Sequence, residues 1–554
     1  MRSNPHPALV FAVIFVVIFL LHLPLLRLPY FWDEAGYYVP AARDLLLSGS
    51  LIPHTTVSNA HPPLVLAWIA LWWKVVGYAP LVTRSAMLLV AAFSLLAVFR
   101  LAEVVANTQV AIAATLCTGL YPVFFAQSSL AQVDLAAAGL TLWGIYAYVK
   151  DRALAAAVWF SLAVLAKETA ILAALALGAW ELLRSTGSRQ WLARSGIEPS
   201  ARRSWTWIVS LAAPLVPLAI WYGYHFARTG YVFGNPEFFR YNVASTLNPL
   251  RFVLALGLRI WQTFGYLNLW LLSMAMSLAM FLPPLRDGEV ERPRIAIAAQ
   301  ISFFVVIAAY LVSMALIGGA VLARYMLPAV PLVIILAVST LRRRIRYWPA
   351  LVTVIAVAFV FAWFHNPPYG FSPEDNLAYR DYVILHEDAE RFLEARYPMA
   401  HVLTAWPASD ELTRPWLGYT TRPMQVVRIE DFSLEQMLSA ADFRSHFEVA
   451  LVFSTKYEPE HSLGDRWPAW IKLKRRFFGF HRDLPPAAAA QVLGGTVVFS
   501  RERKQQWIAV IELQRAEMVD AQNNSPLRLG TSTAFIYNGF SGGGSDLGDP
   551  STRW

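Results

Sequence analysis

The chain is 554 residues long, 57% hydrophobic and only 15% charged, with a mean hydropathy of +0.44. Soluble globular chains run at about 45–50% apolar and about 25% charged, so this is membrane-protein composition; it excludes a soluble enzyme, a disordered chain and a secreted disulfide scaffold. The net charge of +9 divides unevenly: residues 1–365 carry 26 Lys+Arg against 13 Asp+Glu, and residues 366–554 carry 20 against 24. A basic membrane part followed by a mildly acidic tail does not suit a nucleic-acid partner. Cys117 is the sole cysteine, which rules out an intrachain disulfide or a cysteine metal cage.

A hydrocarbon layer of about 30 Å takes roughly 20 apolar residues in a helix. Eleven stretches qualify: 8–29, 82–102, 108–127, 131–149, 153–166, 169–184, 205–227, 266–284, 295–317, 323–341 and 347–364. The first follows Arg2 and His6 and has no small-residue cleavage site before Pro29, so it reads as a retained span. With the N-terminus in the cytoplasm, the inner loops hold 16 of the 26 cations in the first 365 residues, Arg342, Arg343, Arg344 and Arg346 being the clearest marker. The positive-inside rule therefore supports this orientation and puts residues after 365 outside.

Residues 366–521 read as a separate extracytoplasmic α/β domain beyond a linker at Pro367, Pro368, Gly370 and Pro373. Stretches 401–406, 447–454 and 495–500 have strand character, and 377–396 and 434–445 have helix character. Residues 522–554 are a Gly/Ser-rich tail expected to be flexible.

The chemistry-bearing residues are scarce. Asp33 and Glu34 sit among five aromatics in 30–38, directly after the first span, within an outer loop over 28–81. Acids at the hydrocarbon boundary are functional candidates because burying them is costly; the plain alternative is an interfacial loop with Asp33 as a helix N-cap. His61 opens an amphipathic stretch to Gly77 with Trp68, Trp72 and Trp73, which suits a helix lying in the headgroup plane. Asp134 begins the fourth span on the same side, where it either caps the helix or joins the other acids. Lys167 and Glu168 lie at the turn between spans five and six and are expected to pair with each other. Arg84, Lys167 and Arg324-Tyr325 are outer-side cations placed to hold a phosphate, for which arginine offers a bidentate fork.

These motifs together resemble the membrane glycosyltransferases of the GT-C fold that use polyprenyl-phosphate sugars, on the branch of the aminoarabinose transferases and protein O-mannosyltransferases. The resemblance covers about residues 1–365. It rests on Phe31-Trp-Asp-Glu-Ala-Gly-Tyr-Tyr38, His61-Pro-Pro-Leu64, Lys74-Val-Val-Gly77, Thr83-Arg84, Ala166-Lys-Glu-Thr-Ala170, Gly234-Asn-Pro-Glu-Phe-Phe239 and Ala323-Arg-Tyr-Met-Leu-Pro328. It implies a multi-pass inner-membrane (plasma-membrane) enzyme that moves a sugar from a polyprenyl-phosphate donor to an acceptor on the outer face, with inversion in one displacement. Asp33, with Glu34 and Asp134, would be catalytic, and His61, Arg84, Lys167, Arg324 and Tyr325 would hold the donor phosphate. The family's aminoarabinose transferases carry a Glu-Lys pair before Pro-Pro, the Glu associated with a metal; this chain has Ala60-His61 there. No cofactor is implied with certainty: His61 either replaces that lysine at the phosphate or joins Asp33 and Glu34 around a divalent cation. The rival reading is a transporter or lipid-sugar flippase, whose ionisable groups belong near the bilayer midplane.

Overall fold

The computed structural model describes residues 6–186, 204–234, 248–317, 319–457, 459 and 467–514. The 522–554 tail and all of the Gly234-to-Phe239 motif but its glycine lie outside them. Apolar helices dominate up to residue 364 because hydrocarbon offers backbone groups no partners and each segment must bond to itself. They are α1 (Pro7–His22), α2 (Val39–Ser48), α3 (Leu64–Val76), α4 (Pro80–Val105), α5 (Thr108–Leu120), α6 (Pro122–Gln127), α7 (Asp134–Val149), α8 (Ala153–Ala166) and α9 (Ile171–Thr186). After them come α10 (Ser204–Ala212), α11 (Leu215–Thr229), α12 (Pro249–Phe264), α13 (Leu269–Ala279), α14 (Ile297–Leu316), α15 (Val330–Arg344) and α16 (Trp348–Phe364). Among the described residues, four segments are long and apolar enough to cross a membrane by themselves: Pro7–Leu25, Pro80–Val105, Trp205–Thr229 and Ile297–Leu316. The protein is a multi-pass helical membrane protein.

Proline and glycine punctuate this run. Pro122 starts α6 immediately after α5 ends at Leu120, so the expected span over 108–127 is two helices. The expected span over 323–341 likewise divides: a short 3-10 turn, Ala323–Met326, precedes α15. α12 was not anticipated, because Arg251 and Arg259 interrupt its apolar run; both are buried. Arg259 is satisfied by the carbonyls of Met314 and Leu322 at 3.2 and 2.7 Å and by Gln262 Oε1 at 2.8 Å. Helix contact is closest where α7 crosses α4: a Cβ on Gly139 would fall 1.9 Å from Ser94 Oγ, so only glycine fits.

A short hairpin, β1 (Arg286–Asp287) and β2 (Val290–Glu291), joins α13 to α14. The C-terminal part is a five-stranded sheet in the order β4-β3-β5-β7-β6, from β3 (His401–Ala405), β4 (Gln425–Ile429), β5 (Val449–Phe453), β6 (Gly495–Arg503) and β7 (Gln506–Leu513). β3 pairs in parallel with β4 and β5, and β7 runs antiparallel to β5 and β6. Its helices are α17 (Ala378–Arg396), α18 (Ala408–Thr413), α19 (Leu434–Ala441), α20 (Pro468–Phe478) and α21 (Pro486–Leu493). The central β5 is buried along its whole length and is all apolar, as expected of a strand covered on both faces. β4 and β7 had not been anticipated.

Met1–Leu513 forms one compact unit, and one buried apolar cluster runs from Tyr30, Phe31 and Val65 through Ala163 to Leu403, Val449 and Ile508. The sheet layer therefore rests directly on the loop that carries Asp33. Phe31 meets Tyr382 edge-on at 5.1 Å, Trp32 meets Trp406 at 5.3 Å, and Tyr419 donates a 3.0 Å hydrogen bond to the Tyr30 carbonyl. Gly36 lies so close beneath Trp406 that a Cβ there would be 2.5 Å from the indole.

Candidate active site

The site collects residues from helix ends and from the turns beside them. Asp33 follows α1, Asp134 opens α7, Lys167 ends α8, Arg324 precedes α15, and Glu374 follows α16 in the turn Pro373–Asp375. Arg324 is the hub: its Nη2 is 2.5 Å from Asp33 Oδ2, its Nε is 3.2 Å from Asp134 Oδ2, and its Nη1 donates to Glu374 Oε2. One guanidinium thus spreads three edges over three carboxylates, a use of its rigid fork that lysine could not reproduce. Lys167 Nζ lies 2.6 Å from Asp134 Oδ1 and 4.0 Å from the centre of the Tyr325 ring. Arg324, Asp134, Lys167 and Glu374 are buried, whereas the Asp33 side chain keeps 20% of its surface exposed. Asp33 is the acid of this set that an external molecule can reach.

Asp33 and Asp134 both occupy helix starts, yet neither side chain caps one; their carboxylates are turned to Arg324 and Lys167 instead. Trp32 (φ 45°) and Ala60 (φ 57°) hold the left-handed conformation immediately before Asp33 and His61. Non-glycine residues pay about 1 kcal/mol or more for that region, and such strain survives where the surroundings over-determine it. Here the aromatic wall of Trp406 and Tyr382 against Trp32 supplies the constraint.

Glu34 and Arg84 are both fully buried and belong to the scaffold around the site. Glu34 accepts from the Ala131 and Phe31 amides at 2.6 and 2.8 Å and faces Arg84 at 3.4 Å. Arg84 donates to the carbonyls of Leu28, Pro29 and Ser129. The pair thereby locks the chain before Asp33 to the chain before Asp134. The expected pairing of Lys167 with Glu168 is not found: Lys167 turns to Asp134, and Glu168 accepts from His61 Nδ1 at 2.8 Å. That contact also separates His61 from the two acids proposed with it as metal ligands. Asp33, Glu34 and His61 each face a different partner and form no common ligand set. Among the described residues the one group spaced to hold a metal is His386, Glu390 and Glu411.

Glu374 was missed, having been read as linker. Its signal was present: Glu374-Asp375 is a pair of adjacent acids ten residues past the end of a span, much as Asp33-Glu34 follows the first one. In each pair one acid faces Arg324 and the other is tied to the scaffold, Asp375 by a 2.6 Å bond from the Tyr266 hydroxyl. Gln132 Nε2 donates to Glu374 Oε2 at 3.0 Å. Burial raises the Glu374 carboxyl above its ordinary range despite Arg324, and raises Asp375, with help from Glu374, to about 8.

Residues 60–222 match a family described as dolichyl-phosphate-mannose-protein mannosyltransferase. No curated protein matches the sequence. Among solved structures, ArnT from Cupriavidus metallidurans bound to undecaprenyl phosphate superposes with a TM-score of 0.52 at 13% identity, over 91% of this chain and 97% of that one. The same protein in the apo state gives 0.49 at 15% identity, over 91% and 98%. The oligosaccharyltransferase of Archaeoglobus fulgidus gives 0.44 at 10% identity, over 81% and 68%. The GT-C architecture expected from the motifs is the one found: the chain has the fold of ArnT along nearly its whole length, and residues 60–222 match the mannosyltransferase family within it.

Proposed function

We propose that the protein is an inverting glycosyltransferase that takes its sugar from a polyprenyl-phosphate donor at the outer face of the membrane. The observation that carries this reading is the Arg324 cluster, in which a partly exposed Asp33 is held by a buried guanidinium. A carboxylate fixed in this way is placed to accept the proton of an acceptor hydroxyl or amine. The acceptor oxygen or nitrogen attacks the anomeric carbon as the bond from that carbon to the phosphate oxygen breaks. The proton passes to Asp33, and polyprenyl phosphate leaves with the electron pair.

Arg324 and Lys167 are the cations available to the negative charge that grows on the leaving phosphate, a stabilisation that low-dielectric surroundings strengthen. Each of the three guanidinium nitrogens lies within ion-pair distance of an acid, so a phosphate oxygen would compete with those acids for the cation. Glu374 is the acid that yields in this reading, because burial raises its carboxyl and a protonated Glu374 gives up its claim on Nη1. Asp134 keeps Lys167 in place, with Tyr325 beneath it, and Glu168 orients His61 toward the same side. Glu34 and Arg84 position the Asp33 loop. The undecaprenyl phosphate of the ArnT structure supports a donor of this class.

The test uses the full chain in proteoliposomes with polyprenyl-phosphate sugars and a panel of acceptors, reading release of polyprenyl phosphate and sugar-bearing product. Wild type is expected to turn over. Asp33→Asn should lose about 10²–10⁴-fold in rate, the usual worth of a general base, with an unchanged melting temperature. Donor crossing the bilayer without product would sink the assignment and favour the flippase.

A further inference from the structure

The sheet layer buries a second set of ionisable side chains that this chemistry does not use. His386 and Glu390 lie four residues apart on α17 and so share one helix face. Glu411 comes to them from α18, just after β3. His386 Nδ1 is 2.7 Å from Glu411 Oε2 and 3.7 Å from Glu390 Oε1, and one ligand atom of each residue lies within 4.8 Å of the other two. None of the three is more than 1% exposed.

The surroundings do not balance this charge. Among the described residues no lysine or arginine forms an ion pair with Glu390 or Glu411, and the ring neighbours of His386 are Tyr382 at 3.9 Å and Phe453 at 4.6 Å. His386 Nε2 is buried without a hydrogen-bond partner, and the Glu390 carboxyl has only that of Glu411 with which to share a proton. Burial, aggravated by Glu411, holds the Glu390 carboxyl well above its ordinary range. Two carboxylates in such a pocket are costly unless a positive charge or a shared proton sits between them.

We propose that His386, Glu390 and Glu411 are the protein ligands of a divalent transition-metal ion of the zinc class, bound inside the sheet layer. Two carboxylates carry the −2 that a divalent cation neutralises, and an imidazole in the set selects zinc-like ions over calcium or magnesium. Bonds of about 2.0–2.2 Å in tetrahedral geometry place ligand atoms about 3.3 Å apart, and the separations of 2.7 and 3.7 Å bracket that value. The ion would brace the wall behind the catalytic loop: Tyr382, stacked on His386, also packs at 5.6 Å on Trp32, the residue before Asp33.

The experiment needs no substrate. Full-length protein purified in detergent without chelator should carry about one zinc-class ion per chain by plasma mass spectrometry, and His386→Ala and Glu390→Gln should each reduce this to background. Chelation should lower the wild-type unfolding midpoint, Zn²⁺ alone should restore it, and Glu390→Gln should respond to neither. Both wild-type arms stand if a variant fails to fold. The proposal is overturned if wild type carries no metal and neither Zn²⁺ nor Mn²⁺ moves its midpoint. It is equally overturned if Glu390→Gln melts higher than wild type with no chelator response, which is the signature of an acid pair sharing one proton.

Discussion

The molecule buries two clusters of carboxylates and neutralises them differently. At the membrane end, Asp33, Asp134 and Glu374 surround Arg324, with Lys167 as a second cation on Asp134. In the sheet layer, Glu390 and Glu411 form ion pairs only with His386 among the described residues. The first cluster carries cations of its own and leaves one acid partly exposed; the second is sealed, with no lysine or arginine paired to it among the described residues.

The sharpest way to break this comparison is to remove the internal cation. Arg324→Met should destabilise the protein by about 3–5 kcal/mol, since stripping one partner leaves uncompensated buried charge, and should abolish transfer. A melting curve and the proteoliposome assay read both losses. Asp33→Asn, by contrast, should slow transfer by about 10²–10⁴-fold without moving the melting curve. A smaller effect tests whether the sheet layer holds the Asp33 loop. Gly36→Ala pushes a methyl into Trp406, and overpacking of this kind costs about 1–3 kcal/mol. Adding Trp406→Leu should recover much of that loss, and strict additivity of the two changes would disprove the contact.

The last effect concerns pH. Asp375 is buried beside Glu374 and Arg324, accepts from Tyr266, and holds its carboxyl at about 8. A raised acid pKa means the folded state binds more protons than the unfolded state. Stability from this group is therefore fully present below about pH 4 and falls as pH rises toward 8. Asp375→Asn should flatten the decline of the melting temperature across that window; an unchanged slope would show that other groups set it.

Much of the candidate site was legible because acids and cations are rare in apolar sequence, and their positions at span ends sort them to one side. Asp33, Asp134, Lys167 and Arg324 were found that way. Glu374 was not, because Ser372-Pro373-Glu374-Asp375 has the composition of an ordinary linker. α12 hid because it buries Arg251 and Arg259 against carbonyl groups, which no apolar pattern announces. The edge strand β4, Gln425–Ile429, is exposed at Gln425 and Arg428 and nowhere fully buried, so its pattern is weak.

Composition and span-end charges by themselves determined a multi-pass helical membrane protein whose scarce ionisable groups lie near the span ends, because hydrocarbon tolerates ions only where a partner or water is near. Pairing was beyond their reach. Lys167 chose Asp134 over its neighbour Glu168, Glu34 went to Arg84, and His61 went to Glu168. His386, Glu390 and Glu411 met only because helix spacing and the turn after β3 bring them together. Ion pairing depends on distances of a few ångströms between segments as far apart as Asp33 and Arg324, and only the packed chain sets those.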